Sequence, residues 1–229
     1  EFTDRLMSTF RDEAYKTSLY LSRDKGPFEE FNASKYLKEE FARTLPARIR
    51  MLIREHGIRN AVMLTVAPTG TISMVHGVSS GVEPIFSAMY KRRYRENNTW
   101  KETVVVDPLF KEYYEKGLSL DSFVGAYDIS PKQHMAVQAV FQRYIDSSIS
   151  KTINLPGTTT AEELSNTALA FAPYLKGLTI YKAGSKGQEP LEAISLNDEN
   201  IQKYMGIQSV IEEEVQDATL CSINGGECG

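Results

Sequence analysis

A mixed α/β fold with a largely parallel sheet is the class this sequence predicts, with a flexible tail at the C-terminal end. Three observations predict it. Strand-like and helix-like stretches alternate along the chain, at lengths that suit strand–helix–strand units. Residues 149–155, 161–175 and 178–182 read as strand, helix and strand, one βαβ unit of suitable length. The strands are too few to close a barrel within the chain. From residue 183 the composition shifts to Gly, Ser, Pro and acidic residues, so the predicted organisation is a domain over 1–187 and a flexible acidic linker and tail over 188–229.

The elements follow in order. Leu6, Phe10, Ala14, Thr17, Ser18 and Leu21 recur at helical spacing, which predicts a helix over 2–23 with these residues on its apolar face. Gly26 and Pro27 end it. Phe28 and Phe31 pack a loop, and a short helix covers about 34–41. Pro46 starts another helix, with Ile49, Leu52 and Ile53 on one face and Gly57 as its stop. His56 stands in its last turn, where a histidine complements the helix dipole. Residues 60–66 are apolar and β-rich, so they read as a buried strand. The run stops at Pro68, and a turn and a short helix follow.

Residues 87–93 read as a strand carrying Lys91, Arg92 and Arg93. Those cations either guard a solvated edge or face a polyphosphate. Residues 100–106 form a strand through Val104, Val105 and Val106. A helix over 108–116 ends at Gly117, with Tyr113 and Tyr114 packing. Ser130 and Pro131 open a further helix as N-cap and first residue. Met135, Val137, Val140, Phe141 and Tyr144 are its inward candidates, and His134 reads as surface or packing. Thr159 or Thr160 caps the helix over 161–175, where the dipole favours Glu162 and Glu163 in the first turn. Gly177 stops it. Residues 191–216 carry Glu212, Glu213 and Glu214 and read as a helix or a disordered segment.

The totals set limits. A chain of 229 residues holds one sizeable core, or one domain with an appendage. The net charge is −4, and no basic block exists beyond 91–93, which argues against a partner that is a nucleic-acid polymer. No apolar run is long enough to span a membrane. The first residues lack a secretory pattern. The absence of an initiator Met suggests a processed piece. Both cysteines fall in the last nine residues, which suggests a reducing compartment and a cytoplasmic location.

The candidate chemistry centres on Ala67, Pro68, Thr69, Gly70, Thr71, Ile72 and Ser73, continued by Ser79, Ser80, Gly81 and Glu83. A turn that opens a helix aims several backbone N–H groups at one spot, and the helix end adds about half a positive charge there. Thr69, Thr71 and Ser73 add hydroxyl donors, and Gly70 lets an anion approach the backbone. This is a phosphate cradle without a lysine. An N-capped turn is the structural alternative. For Ser79, Ser80, Gly81 and Glu83, a turn with a buried Glu–backbone network serves equally well.

The string from Ala67 to Ser73, then Val78-Ser79-Ser80-Gly81-Val82-Glu83-Pro84, then Tyr90-Lys91-Arg92-Arg93, resembles the C-terminal half of the ribonucleotide reductase large chain. The segments 57–60, 146–156 and 176–185 agree in the same order. The resemblance implies roughly the second half of a ten-stranded α/β barrel. It further implies conversion of ribonucleotides, as diphosphates or triphosphates, to deoxyribonucleotides by thiyl-radical chemistry. The radical takes the ribose 3′ hydrogen, the 2′ hydroxyl leaves as water, and two thiols provide the electrons. The residues 67–73 would anchor the substrate phosphate. Tyr181 is followed by Lys182, not by the second tyrosine of the branch that uses a radical subunit, so the adenosylcobalamin-dependent (class II) branch is favoured. The family's radical cysteine lies in an Asn-x-Cys-x-Glu motif that this sequence does not contain. The resemblance therefore implies an N-terminal remainder as partner, together with a thioredoxin-like reductant. Cys221 and Cys228 are a possible thiol shuttle, half of a zinc site, or two surface thiols. The alternative for the whole chain is a non-catalytic nucleotide-binding or interaction module.

Overall fold

The computed structural model describes residues 1–97, 99–185, 191–205 and 213–214. In chain order the elements are α1 (Phe2–Lys25), α2 (Ala33–Tyr36), α3 (Glu40–Thr44), α4 (Ala47–His56) and α5 (Gly70–His76). Then come β1 (Met89–Glu96), β2 (Thr99–Val106), α6 (Pro108–Glu115), α7 (Pro131–Gln142), β3 (Thr152–Leu155), α8 (Ala161–Phe171) and β4 (Thr179–Lys182). The last are β5 (Leu191–Ala193), α9 (Asp198–Met205) and β6 (Glu213–Glu214). They form two units: residues 1–83 with 129–182, and residues 84–128 with 183–229. Among the described residues no helix is long and apolar enough to cross a membrane.

In the first unit α1 packs on α4 and α7. Tyr15, Leu19, Ile49, Ile53 and Ile58 are buried together there. The inward face of α1 is Met7, Arg11, Tyr15, Ser18, Leu19 and Ser22, one residue round from the predicted face, and Leu6, Phe10 and Leu21 are exposed. Hydrogen bonds explain the rotation. Asn60 N–H donates to Ser18 Oγ at 3.0 Å, and Ser22 Oγ donates to the His56 carbonyl at 3.0 Å. Ser18 already lies on the predicted face; Ser22, which a scale of apolar residues passes over, does not.

Residues 60–66 do not form a strand. One bridge, Val66 to Ile149, is all the ladder they make. The reason is Asp146, whose carboxylate takes the Met63 and Leu64 amides at 2.7 Å each; a side chain has replaced the neighbouring backbone as acceptor. The βαβ unit is present: β3 pairs parallel with β4, Thr152 opposite Thr179. Thr160 caps α8 by accepting from Glu163 N–H. Ser130 and Gln133 form a reciprocal capping box on α7. The predicted helix over 161–175 gives way after Phe171 to a 3₁₀ turn, Ala172–Tyr174, where Pro173 has no amide to offer. The predicted helix over 34–41 is two short ones, the first capped by Asn32.

The second unit corrects the expectation of a largely parallel sheet. β1 and β2 are an antiparallel hairpin in a four-stranded sheet of order β5-β1-β2-β6. Lys91, Arg92 and Arg93 therefore sit on an inner strand, not an edge. Lys91 and Arg93 both pair with Glu102. Residues 191–205, read above as linker, supply β5 and α9. Ile194, Ile201 and Tyr204 are buried with Met89 and Phe110. Of the two alternatives read for 191–216, the helix is present over Asp198–Met205, and its three apolar residues, Ile201, Tyr204 and Met205, all face one core.

Candidate functional site

Residues 63–66 run extended beside 146–150 and deliver the chain to the candidate loop. Ala67 and Pro68 then line a cleft of about 390 Å³, whose other walls are residues 65–66, 148–150 and 176–179. Thr69 follows with φ 51, a left-handed conformation that is uncommon outside glycine. Its hydroxyl accepts the Gly81 N–H at 3.0 Å, and its carbonyl accepts the Ser73 N–H at 2.9 Å. These bonds hold the turn that starts α5.

The seven leading candidates divide. Thr69, Gly70, Thr71 and Ile72 are exposed. Among the described residues the amides of Gly70, Thr71 and Ile72 have no partner, as the geometry of a first helical turn requires. Ser73 is buried, and its hydroxyl donates to the Gly70 carbonyl at 2.9 Å, so it braces the turn. A Cβ on Gly70 would meet nothing within 4 Å. The fold itself places no demand on that glycine.

The second group comes back onto the first. Gly81 has φ 50, and a Cβ there would lie 3.2 Å from the Ala67 carbonyl oxygen. Gly81→Ala is therefore expected to cost about 1–2 kcal/mol through a left-handed alanine, to be read as a lower urea midpoint at unchanged slope. A stability equal to wild type would contradict this loop geometry. Ser79 is exposed. The Ser80 carbonyl accepts the Glu83 N–H at 3.0 Å, and Glu83 Oε1 accepts the Thr152 N–H at 2.5 Å. The far end of the loop is thus fastened to β3. Cys221 and Cys228 lie outside the described residues. Among the described residues no cluster of His, Cys, Asp or Glu could hold a metal ion; the zinc reading falls on the two cysteines outside them.

Lys176 and Lys151 were not foreseen as site residues, and for His134, read as surface or packing, the packing alternative holds. Lys176 lines the cleft; its ammonium donates to the Asp146 carbonyl and lies 5.4 Å from the centre of the Phe41 ring. Lys151 and His134 are buried, Nζ to Nδ1 at 2.8 Å, which corrects the surface reading of His134. Burial pulls the Lys151 ammonium below the usual lysine range, and the Glu83 charge opposes that shift. The alternation Ile149, Lys151, Ile153, Leu155 was the signal: all four are buried, so the lysine occupies a core position of the strand.

The comparisons with known proteins agree on one kind of relative. The family model described as the ribonucleotide reductase barrel domain matches residues 1–181. A vitamin B12-dependent ribonucleoside-diphosphate reductase of Thermoplasma acidophilum is 33% identical over 218 residues, 84% of this chain and 26% of the relative. The protein of the same name from Mycobacterium tuberculosis is 28% identical over 211 residues, 82% of this chain and 28% of the relative. A ribonucleoside-diphosphate reductase subunit alpha of Helicobacter pylori is 28% identical over 174 residues, 68% of this chain and 21% of the relative. The chain thus spans about a quarter of the length of the curated relatives it matches.

Proposed function

This chain belongs to the ribonucleotide reductase barrel-domain family, and from that premise we propose that it is part of a vitamin B12-dependent ribonucleoside-diphosphate reductase. The observation that carries the reading is similarity to two reductases of that name over more than four-fifths of the chain. In this reading the chain is the C-terminal half of a ten-stranded barrel, and an N-terminal remainder completes it. The substrate is a ribonucleoside diphosphate.

The chain's own contribution is positioning. Its exposed amides at Gly70, Thr71 and Ile72, with the hydroxyls of Thr69 and Thr71, grip the terminal phosphate. An anion at a helix start gains from both the N–H groups and the dipole. Holding the phosphate fixes where the ribose lies, and that fixes which hydrogen a radical can reach. The reacting sulfur belongs to the remainder, because the family's Asn-x-Cys-x-Glu motif does not occur in this sequence; Cys221 and Cys228 keep the alternatives of a thiol shuttle to a thioredoxin-like reductant or surface thiols. Adenosylcobalamin would supply the initiating radical when bound, and none of the described residues is assigned to it.

Two measurements test the reading. The chain mixed with its N-terminal counterpart should convert a ribonucleoside diphosphate to its deoxy form only when adenosylcobalamin is added. Assembly without any turnover would favour the non-catalytic module. Gly70→Val, at a position with open space around it, should keep the thermal midpoint within a degree or two and weaken nucleotide binding about tenfold, roughly 1.4 kcal/mol. Equal affinity in the variant would remove the loop from the phosphate site.

A further inference from the structure

Lys151 is 2% exposed and His134 1%. A buried ammonium is costly unless its protons find acceptors. Lys151 Nζ reaches His134 Nδ1 at 2.8 Å and the Thr152 carbonyl at 3.2 Å. With the lysine charged, Nδ1 is the acceptor and the imidazole proton sits on Nε2. The next amide, Thr152 N–H, donates to Glu83 Oε1 at 2.5 Å. A carboxylate, an ammonium and an imidazole from three segments therefore meet around the start of β3: Glu83 from the loop, Lys151 from the strand and His134 from α7.

The bonds continue toward the candidate loop. Glu83 N–H closes a turn on the Ser80 carbonyl. Gly81, inside that turn, donates to Thr69 Oγ1. Thr69 sets the first turn of α5 through Ser73. An unbroken line of hydrogen bonds and short covalent links joins the buried pair to the exposed amides. An acceptor alone would satisfy Thr152 N–H. A charged acceptor does more: it makes the bond to the strand charge-assisted.

We propose that the half-buried Glu83 carboxylate and the buried Lys151–His134 pair, which meet the chain on either side of Thr152, form a strut that fixes the far end of the 67–83 loop to β3 and thereby positions the amides of residues 70–72. All three are positioning residues. Their consequence for phosphate rests on the reading of that loop given above; the fixing of the loop does not.

Native-state hydrogen exchange on the full 229-residue chain tests this, comparing peptides from 67–83 with peptides from α4. Glu83→Gln keeps shape and an acceptor but removes the charge. Lys151→Met keeps length but removes the ammonium. Both should speed exchange in 67–83 about tenfold and leave α4 at its wild-type rate. Wild-type rates in 67–83 for both variants would overturn the strut. If Lys151→Met loosens α4 as well, the milder Glu83→Gln decides by the same comparison. Binding of inorganic pyrophosphate separates the two claims. Affinity reduced about tenfold in both variants supports the strut acting through the anion site. Loosened loops in a protein whose wild type ignores pyrophosphate support the strut and remove the anion reading.

Discussion

Asp146→Ala is expected to lower the stability of the first unit by about 4 kcal/mol, since two amides and one buried hydroxyl lose an ionised acceptor at once. The carboxylate accepts Met63 N–H and Leu64 N–H at 2.7 Å and the Tyr15 hydroxyl at 3.1 Å. Tyr15 is 1% exposed, so its hydroxyl gains nothing from water when the carboxylate goes. The extended segment that leads into the candidate loop is also bonded to 147–150, through Ser147 N–H to the Leu64 carbonyl, Ser150 N–H to the Val66 carbonyl and Thr65 Oγ1 to the Ser148 carbonyl, and Asp146 holds its first half. Asp146→Asn, with one acceptor oxygen left, should cost about half as much, and Tyr15→Phe about 1 kcal/mol. Urea unfolding of the three variants checks the order. A loss under about 1 kcal/mol for the alanine variant would show that these bonds do not hold the segment.

The same site predicts behaviour in alkali. Burial, then the charges of Tyr36 and Asp146, raise the Tyr15 hydroxyl far above the ordinary tyrosine range. The folded protein keeps that proton where the unfolded chain gives it up near pH 10. The contribution of Tyr15 is therefore complete below about pH 10 and falls as pH rises past it.

What the sequence made legible was mainly local. The Ser130–Pro131 start of α7, the Thr160 cap of α8 and the glycine stops at 26 and 57 are set by residues within a turn of each other, and the structure has all of them. The βαβ unit was readable for the same reason. Non-local acceptors were not readable. Nothing within 60–66 announces that Asp146, more than eighty residues on, will take two of its amides. The inward face of α1 was misplaced by one residue because Ser22, outside the predicted stripe, points inward to the His56 carbonyl on another segment. At the candidate site, the turn that opens a short helix after Pro68 was legible from its own residues, whereas the bond from Gly81 N–H to Thr69, twelve residues back, was not. Lys176 joined the cleft through the packing of a distant loop, which no motif within 67–73 encodes.

Glu102→Ala is expected to cost the second unit about 2–3 kcal/mol, less than a fully buried pair would lose because its partners are about one-third exposed. Glu102 faces Arg93 across the β1–β2 ladder. It accepts Arg93 Nε at 2.8 Å and Lys91 Nζ at 3.0 Å, and its own side chain is 12% exposed. Truncation leaves two neighbouring cations on one face of the strand, with Glu192 at 3.4 Å from Arg93 as the remaining acid. The pH dependence follows from the same contacts. Arg93 first, then Lys91, holds the Glu102 carboxyl below the usual glutamate range, against the opposing effect of burial. A depressed carboxyl contributes stability that is present above the unfolded value, about 4.3, and is lost as pH falls through the folded one. Wild type should therefore lose stability steeply below about pH 4, and Glu102→Gln should lose less of it over the same range. If the two acid limbs coincide, Lys91 and Arg93 are not held by Glu102, and the alternative in which they face a polyphosphate regains its footing. Coincident limbs with a large loss at neutral pH would instead assign the effect to packing of the Glu102 stem between the two strands.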